Sequence, residues 1–187
     1  CALDILKDRL NIPCFDLIDS VSDVISSNEV GVLATSATIR SSSYKNIIES
    51  KWENIKVFQQ PCPELVNEIE KESLDFEKIN ALLDMYLKPL LEQNIQEIIL
   101  GCTHYPLIYN ILRNKIPHQV KLIDPSRALI DNLNKYFFKE EIYCNKTPSY
   151  DNVQFFVTGK IDEFAVKVSN WLEINKKISL VNLRTDT

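Results

Sequence analysis

Cys102, Thr103 and His104 are three consecutive residues whose side chains could carry acid–base chemistry. They follow an apolar run over residues 97–101 that is typical of a buried strand, and they precede Pro106, a residue favoured in the first turn of a helix. The N–H groups at the start of a helix would favour a thiolate or a substrate carboxylate, and the same field lowers the pKa of a thiol. Thr103 can donate a hydrogen bond, and His104 can hold or relay a proton near neutral pH.

The same three residues also admit a purely structural interpretation. A cysteine at the end of a buried strand commonly packs in the core, and a threonine after a strand commonly caps a helix. A histidine at this place can be partly buried, with its ring nitrogens hydrogen-bonded to other residues of the fold. The spacing alone therefore makes Cys102 a candidate acid/base residue and leaves the structural alternative open.

Two further polar clusters follow predicted strands. Residues 35–38 come after the apolar run 30–35, and residues 124–126 come after the run 120–123. Because ligands of open parallel α/β sheets bind at the carboxyl ends of the strands, both clusters are candidate site segments. Residues 124–126, with the sequence Asp-Pro-Ser, can equally serve as the cap of the helix that follows.

The elements that must position these residues alternate between strand and helix patterns along most of the chain. Predicted strands cover residues 14–18, 30–35, 55–59, 97–102, 120–123 and 153–157. Helical periodicity is found at residues 2–10, 21–25, 39–48, 65–69, 75–94, 107–112, 128–136 and 164–172, with Pro89 as a kink or break. Residues 140–152 are predicted to be a polar loop, and residues from 175 onward a frayed tail. This alternation predicts an α/β fold with mostly parallel sheets flanked by helices.

The composition excludes several classes of function. The formal net charge of -5 gives no basic surface for nucleic acid, and no segment approaches the roughly 18 apolar residues of a membrane span. The chain has three glycines and no GxGxxG or P-loop motif, which removes the commonest nucleotide sites. The cysteines are odd in number and show no CxxC spacing, so zinc and a disulfide scaffold are disfavoured and free thiols in a reducing cytosol are expected. These cysteines are Cys1, Cys14, Cys62, Cys102 and Cys144.

Residues 97–108, which contain the string Gly-Cys-Thr-His-Tyr-Pro-Leu, closely resemble the second cysteine motif of glutamate racemases. The similarity extends along most of the chain. The pair Thr35 and Thr38 resembles the two threonines that follow a strand in this family, and residues 62–70 resemble its Cys-Pro…Glu segment. Related aspartate racemases typically carry Glu where His104 stands. The chain is therefore similar to glutamate racemases in particular.

This resemblance implies two pseudo-symmetric α/β domains that face each other across a cleft, each supplying one catalytic cysteine without any cofactor or metal. Cys102 would be one of the two acid/base residues and would alternate between thiolate and thiol. His104 and Glu70 would assist it, either by orienting its side chain or by exchanging protons with it. By the same resemblance, the substrate's carboxylate or amino group would be held by Thr103, His104, Thr35 and Thr38.

The resemblance also implies a division into domains. Residues 27–123 would form the second racemase domain, which carries Cys102, whereas residues 1–26 and 124–187 would be parts of the first domain. The family's first motif, a Cys-Asn-Thr-x-Ser run, should lie just before Ala2 and does not occur in the sequence. We therefore expect that upstream sequence is missing and that the first domain is incomplete, which the codons before the first residue would test.

Three functional interpretations follow. The first is a bacterial cytoplasmic glutamate racemase for peptidoglycan synthesis, with glutamate as its small-molecule substrate and neither nucleic acid nor membrane as a partner. The second is a catalytically inactive racemase fragment or binding module, because the first catalytic cysteine is absent; these 187 residues alone would then have little or no activity. The third is an aspartate or broad-specificity racemase, against which His104 argues. A homodimer is a further expectation.

Overall fold

The computed structural model describes residues 2–142, 153–172 and 177–183. The chain divides into two compact units. Unit 1 comprises Cys1–Ile69 and Asp75–Tyr143, and unit 2 comprises Glu70–Leu74 and Cys144–Thr187. Cys1 and Cys144, together with most of the predicted loop at 140–152, lie outside the described residues.

Unit 1 is built around a four-stranded parallel sheet with the strand order β2-β1-β3-β4. Its strands are β1 (Glu29–Ala34), β2 (Lys56–Pro61), β3 (Glu97–Leu100) and β4 (Lys121–Ile123). The central strands β1 and β3 are apolar on both faces, as expected for parallel strands covered by helices on both sides. The predicted α/β fold with a parallel sheet is therefore confirmed.

Helices pack on both faces of this sheet. Their bounds in unit 1 are α1 (Ala2–Arg9), α2 (Leu17–Ser22), α3 (Ser36–Ser41), α4 (Ser43–Lys51), α5 (Leu65–Ile69), α6 (Phe76–Leu91), a 3₁₀ helix (Tyr105–Ile108), α7 (Tyr109–Lys115) and α8 (Pro125–Lys139). One face of β1 packs in a core with Ile48 of α4 and Val21 of α2. The opposite face is closed by α6, whose Leu90 lies against Gly31. The helix α6 continues through Pro89 to Leu91, so the predicted break does not occur.

The strand predicted at residues 14–18 is wrong, because a helix begins inside it. The Asp16 carboxylate accepts hydrogen bonds from the backbone N–H groups of Ile18 at 2.7 Å and Asp19 at 3.4 Å, which caps α2. A side-chain cap of this kind satisfies N–H groups that a strand would have to pair with another strand. Leu17 and Ile18 at the end of this run therefore belong to a helix.

Unit 1 extends beyond the predicted 27–123 domain on both sides. The helix α2 packs against α4 and α8, and its Val21 is completely buried in the core beside the sheet. Residues 17–22 and 125–139 therefore belong to the same compact unit as Cys102. The assignment of residues 1–26 and 124–187 to a separate first domain remains a prediction.

Unit 2 contains a parallel pair of short strands, β5 (Phe155–Val157) and β6 (Ile178–Leu180), and the amphipathic helix α9 (Ile161–Leu172). The pairing continues past β6, where the N–H of Val181 donates to the carbonyl of Val157 at 2.9 Å. The frayed tail predicted from residue 175 is therefore wrong for residues 178–180, which pair with an apolar strand. Within the described part of the chain, no helix is both long and apolar enough to cross a membrane.

Candidate active site

Cys102 lies in a tight turn at the carboxyl end of β3. The N–H of Gly101 donates to the carbonyl of Leu33 in β1 at 2.8 Å, which extends the sheet pairing up to the residue before the cysteine. The N–H of Tyr105 then donates to the carbonyl of Cys102 at 3.1 Å and closes the turn. The predicted helix does start here with Pro106 in its first turn, although as a 3₁₀ helix. The Cys102 side chain is therefore held where the sheet ends.

His104 is brought next to Cys102 by this turn. Its Nδ1 lies 3.7 Å from the Cys102 Sγ, and both residues are half-buried. A thiol can donate to this nitrogen, and a protonated ring can donate to a thiolate, so the pair can share one proton in either direction. Thr103, between them, is exposed. The structure thus places two of the predicted catalytic residues in contact.

A cavity of about 180 Å³ opens beside the Cys102 side chain, at the carboxyl ends of β3 and β4. Its lining includes Cys102 and Thr103 from the turn after β3, Asp124 and Ser126 from the start of α8, and Tyr44 from α4. The remaining wall is apolar, from residues such as Leu17, Leu100, Pro106 and Pro125. Two of the three polar clusters that the sequence singled out therefore meet in one cavity.

Asp124 and Ser126 have a structural role at this cavity. The Asp124 carboxylate accepts hydrogen bonds from the N–H of Ser126 at 2.9 Å and from its hydroxyl at 2.7 Å, which caps α8. The capping alternative for residues 124–126 is therefore confirmed, although the same residues also line the cavity.

The third polar cluster follows β1 and forms a cap of its own. The Thr35 hydroxyl accepts a hydrogen bond from the N–H of Thr38 at 3.3 Å and lies 3.0 Å from the Thr38 hydroxyl. Both threonines are half-buried, and they lie at the same edge of the sheet as Cys102 because β1 pairs in parallel with β3. Neither lines the cavity beside Cys102.

Comparison with known proteins shows the family to which the chain is related. The profile of the Asp/Glu/Hydantoin racemase family matches residues 1–133. The chain belongs to this racemase family. It is 40% identical over 183 residues to a glutamate racemase of Prochlorococcus marinus (strain NATL2A), which covers 98% of this chain and 69% of that protein. The predicted enzyme class, an amino-acid racemase and therefore an isomerase, is confirmed at the level of the family.

Solved racemase structures share the fold. A glutamate racemase from Francisella tularensis, solved in complex with D-glutamate, is 33% identical with a TM-score of 0.81, covering 98% of this chain and 69% of that one. A glutamate racemase from Bacillus anthracis is 26% identical with a TM-score of 0.84, covering 97% of this chain and 69% of that one. The fold identified from the sequence is therefore that of glutamate racemases.

Glu70, the third predicted catalytic residue of this racemase, belongs to unit 2. There its carboxylate accepts a hydrogen bond from the Lys167 ammonium at 2.7 Å, with both side chains about 40% exposed. Its neighbour Glu68, on α5 in unit 1, is buried and pairs with Lys78 at 2.6 Å. The role of Glu70 toward Cys102 stays a prediction.

Cys62 is a second thiol close to the turn that Cys102 and Tyr105 close, and its burial and pKa set it apart from Cys102. It is fully buried, and its N–H donates to the carbonyl of Ala34 at 2.8 Å. Burial raises the pKa of its thiol to about 12, the adjacent Tyr105 hydroxyl opposes this rise, and the charge of Cys102 adds to it. Cys62 is therefore a packing thiol beneath the turn and stays protonated at neutral pH.

Tyr44 is a lining residue that the sequence indicated only as part of the helical periodicity at residues 39–48. It is 3% exposed and contributes to the wall of the cavity beside Cys102. The available signal was its position in the helix that follows the polar end of β1, next to the strand that precedes Cys102.

In the described part of the chain, no cluster of three or more potential ligands could hold a metal ion.

Proposed function

We propose that this protein interconverts L- and D-glutamate without a cofactor and that Cys102 is one of two acid/base residues. The observation that carries the proposal is the Cys102 Sγ lying 3.7 Å from the His104 Nδ1 beside a cavity at the carboxyl edge of the sheet. It is supported by the glutamate racemases that the chain resembles over nearly its whole length.

The chemistry requires one base on each face of the substrate. Inverting the α-carbon means removing its proton from one face and returning a proton to the other, which two fixed groups can do without moving the planar intermediate. Cys102 would take the proton as a thiolate in one direction and deliver it as a thiol in the other. The resemblance assigns the opposite base to the first cysteine motif of the family, which does not occur in these 187 residues.

The surrounding residues would hold the substrate and manage the proton. His104 is adjacent to the sulfur and can exchange a proton with it. Glu70 would be a further proton partner or orienter. Thr103, Thr35 and Thr38 present hydroxyl groups at the carboxyl edge of the sheet and would bind the carboxylate or amino group of glutamate, together with His104.

The biological setting that fits this activity is the supply of D-glutamate for peptidoglycan in the bacterial cytoplasm. Support comes from the bacterial glutamate racemases among its relatives and from Cys14, Cys62 and Cys102, which form no disulfide within the described residues. A homodimer is compatible with this setting and stays a proposal.

The test is racemisation by the product of the complete gene, because the 187 residues span 69% of the length of the first curated relatives. L-glutamate is incubated in D₂O, and loss of the α-proton is followed by NMR while circular dichroism follows the enantiomer. We expect conversion of glutamate in both directions, much slower turnover of aspartate, and little activity from the 187-residue chain alone. Faster turnover of aspartate would favour the aspartate racemase interpretation.

The role of Cys102 is tested in the same assay with Cys102→Ser. Because a hydroxyl is a far weaker acid/base than a thiol at neutral pH, we expect racemisation to fall at least about 100-fold. The matched control is Cys14→Ser, which changes a half-buried thiol outside the cavity and should leave the rate unchanged. Full activity of Cys102→Ser would overturn the proposed mechanism, whereas an inactive parent protein would overturn the proposed function.

A further inference from the structure

Tyr44 reaches the carboxyl end of β3 from the first turn of α4. Its Cε2 lies 3.1 Å from the point where a Cβ on Gly101 would stand, so the ring occupies space that any other residue at 101 would fill. Cε2 is bonded to the carbon that bears the hydroxyl. The hydroxyl end of the ring therefore lies at the residue that directly precedes Cys102.

The hydroxyl-bearing side chain and the cysteine line the same cavity. Tyr44 and Cys102 are both part of its wall, together with Asp124. At 3% exposure the Tyr44 side chain is fixed by core packing, since it belongs to the cluster that also holds Ile48 and Ile99. It is thus a rigid polar group, unlike a flexible surface hydroxyl.

Tyr44 is also kept in its neutral form. Burial raises the pKa of the phenol well above its usual range, and the negative charges of Cys102, Asp16 and Asp124 raise it further, in that order. A phenol that does not ionise remains a hydrogen-bond donor at every physiological pH. Among these three acidic groups, the charge of Cys102 acts on it most strongly.

The two carboxylates in this environment already accept hydrogen bonds from helices. Asp16 accepts from two N–H groups at the start of α2, and Asp124 accepts from Ser126 at the start of α8. The Cys102 sulfur lies on the cavity wall with His104 as its neighbour. Cys62 and Tyr105, whose ionisation is also coupled to Cys102, are buried beneath the turn and stay protonated.

We propose that Tyr44 is a positioning residue for Cys102. When the sulfur is a thiolate, the neutral Tyr44 hydroxyl in the same cavity wall donates a hydrogen bond to it and so stabilises that form. A hydrogen bond to a charged acceptor is stronger than one to its neutral form, so the donor favours the thiolate over the thiol. The inference rests on the proposed function, because it supplies the basic form of Cys102 that proton abstraction needs.

The test is the pH dependence of Cys102 alkylation in Tyr44→Phe, which keeps the ring against Gly101 and removes only the hydroxyl. Iodoacetamide reacts with the thiolate, and peptide mass spectrometry reports the rate at each cysteine separately. We expect the pH midpoint for Cys102 to move upward by about one unit, so that alkylation below the midpoint is about tenfold slower. Cys14, outside the cavity, serves as the internal reference and should keep its rate.

The matched control is Tyr86→Phe, which removes the hydroxyl of another buried tyrosine, on α6 and outside the cavity lining. Its Cys102 midpoint should equal that of the unmodified protein. An unchanged midpoint in Tyr44→Phe, or an equal shift in both variants, would overturn the proposal. If Tyr44→Phe fails to fold, 2,3-difluorotyrosine at position 44 keeps the ring and makes its hydroxyl a stronger donor. That substitution should lower the Cys102 midpoint, and an unchanged midpoint would again overturn the proposal.

This readout is separate from racemisation. Alkylation needs no turnover, so a protein that does not racemise glutamate still reports whether Tyr44 acts on the Cys102 thiolate. In an active racemase, Tyr44→Phe should additionally move the acidic limb of the kcat profile to higher pH, which a merely structural role of the hydroxyl would not do.

Discussion

The sulfur of Cys102 and Nδ1 of His104 lie 3.7 Å apart inside a turn that the backbone itself closes. The hydrogen bond from the Tyr105 N–H to the Cys102 carbonyl closes the turn in which both residues lie. Their proximity is therefore a local property of four consecutive residues. The strand that ends at Leu100 carries this turn to the edge of the sheet.

His104→Asn tests whether this proximity serves proton transfer. Asparagine can place a hydrogen-bonding atom near the position of Nδ1, but it does not titrate near neutral pH. We expect kcat for glutamate to fall about 10- to 100-fold in the complete protein, because acid–base assistance is lost while the turn is retained. The measurement is kcat as a function of pH in both directions.

His118→Asn is the matched control, since His118 is the other histidine of the chain and is exposed. It should change neither kcat nor its pH profile. An unaltered profile in His104→Asn would restrict His104 to a packing role.

Glu97 makes the stability of unit 1 depend on pH. Its carboxylate is 2% exposed and accepts hydrogen bonds from the N–H and hydroxyl groups of Ser26 and Ser27 and from the Lys121 ammonium, all between 2.8 and 3.1 Å. Burial alone would raise the pKa of this carboxyl, but the hydrogen bonds, first those from Ser26, outweigh it and lower the pKa below 4.5. The carboxylate therefore stabilises the fold fully above pH 4.5, and this stabilisation is lost as the pH falls through the lower folded value.

Glu97→Gln should lower the free energy of unfolding by about 2–3 kcal/mol at pH 7, because one carboxylate oxygen is replaced by a donor that faces other donors. It should also weaken the decline of stability between pH 4.5 and more acidic values. Urea unfolding at pH 7 and at pH 3 measures both effects. The control Glu29→Gln alters a pair with Lys56, whose side chain is 67% exposed, and should cost less than about 1 kcal/mol. Equal losses in the two variants would contradict this account.

The parts of the site that could be predicted from the sequence are those fixed by local chemistry. The strand before Cys102 is a short apolar run, and the turn and the helix start after it follow from Pro106. The cap at Asp124 is local in the same sense, since the carboxylate bonds to the second residue beyond it. The meeting of these segments follows from the rule that parallel strands end at one edge of a sheet.

The parts that could not be predicted depend on competition between two possible local structures or on packing between residues far apart in the sequence. Residues 14–18 have a strand-like composition, but the Asp16 side chain caps a helix, and the packing of α2 on α8 decides the outcome. The pairing of β6 depends on contact with β5 more than 20 residues earlier, which no local pattern reports. Tyr44 reaches the cavity because Gly101, on another element, lacks a side chain.

Cys62 and Cys102 should differ sharply in reactivity although both are close to the same turn. At pH 8, a thiol with a pKa of about 12 is ionised to only about one part in 10⁴, and Cys62 is in addition fully buried. We therefore expect iodoacetamide to modify Cys102 in the native protein, whereas Cys62 reacts only after unfolding in urea.

Peptide mass spectrometry at timed intervals gives the rate at each cysteine, with Cys14 as a half-buried reference thiol. The native rate at Cys62 should be at least about 100-fold below its rate in urea. Similar native rates at Cys62 and Cys102 would mean that Cys62 is accessible to solvent and would contradict the packing described above.

Gly101→Ala should destabilise unit 1, because three fixed groups surround the place of the new methyl group. It would stand 3.0 Å from the Cβ of Ala34, 3.1 Å from Cε2 of Tyr44 and 3.2 Å from the backbone oxygen of Leu33. Since the backbone oxygen belongs to a central strand, relief requires that the Tyr44 ring and the Cys102 turn move. Overpacking of this kind costs about 1–3 kcal/mol of unfolding free energy, measured by urea denaturation.

The control is Gly159→Ala, whose new methyl group meets nothing within 4 Å and should leave the unfolding midpoint nearly unchanged. Native-like stability of Gly101→Ala, with an unaltered rate of Cys102 alkylation, would show that the Tyr44 ring can withdraw from the end of β3 without consequence for the thiol.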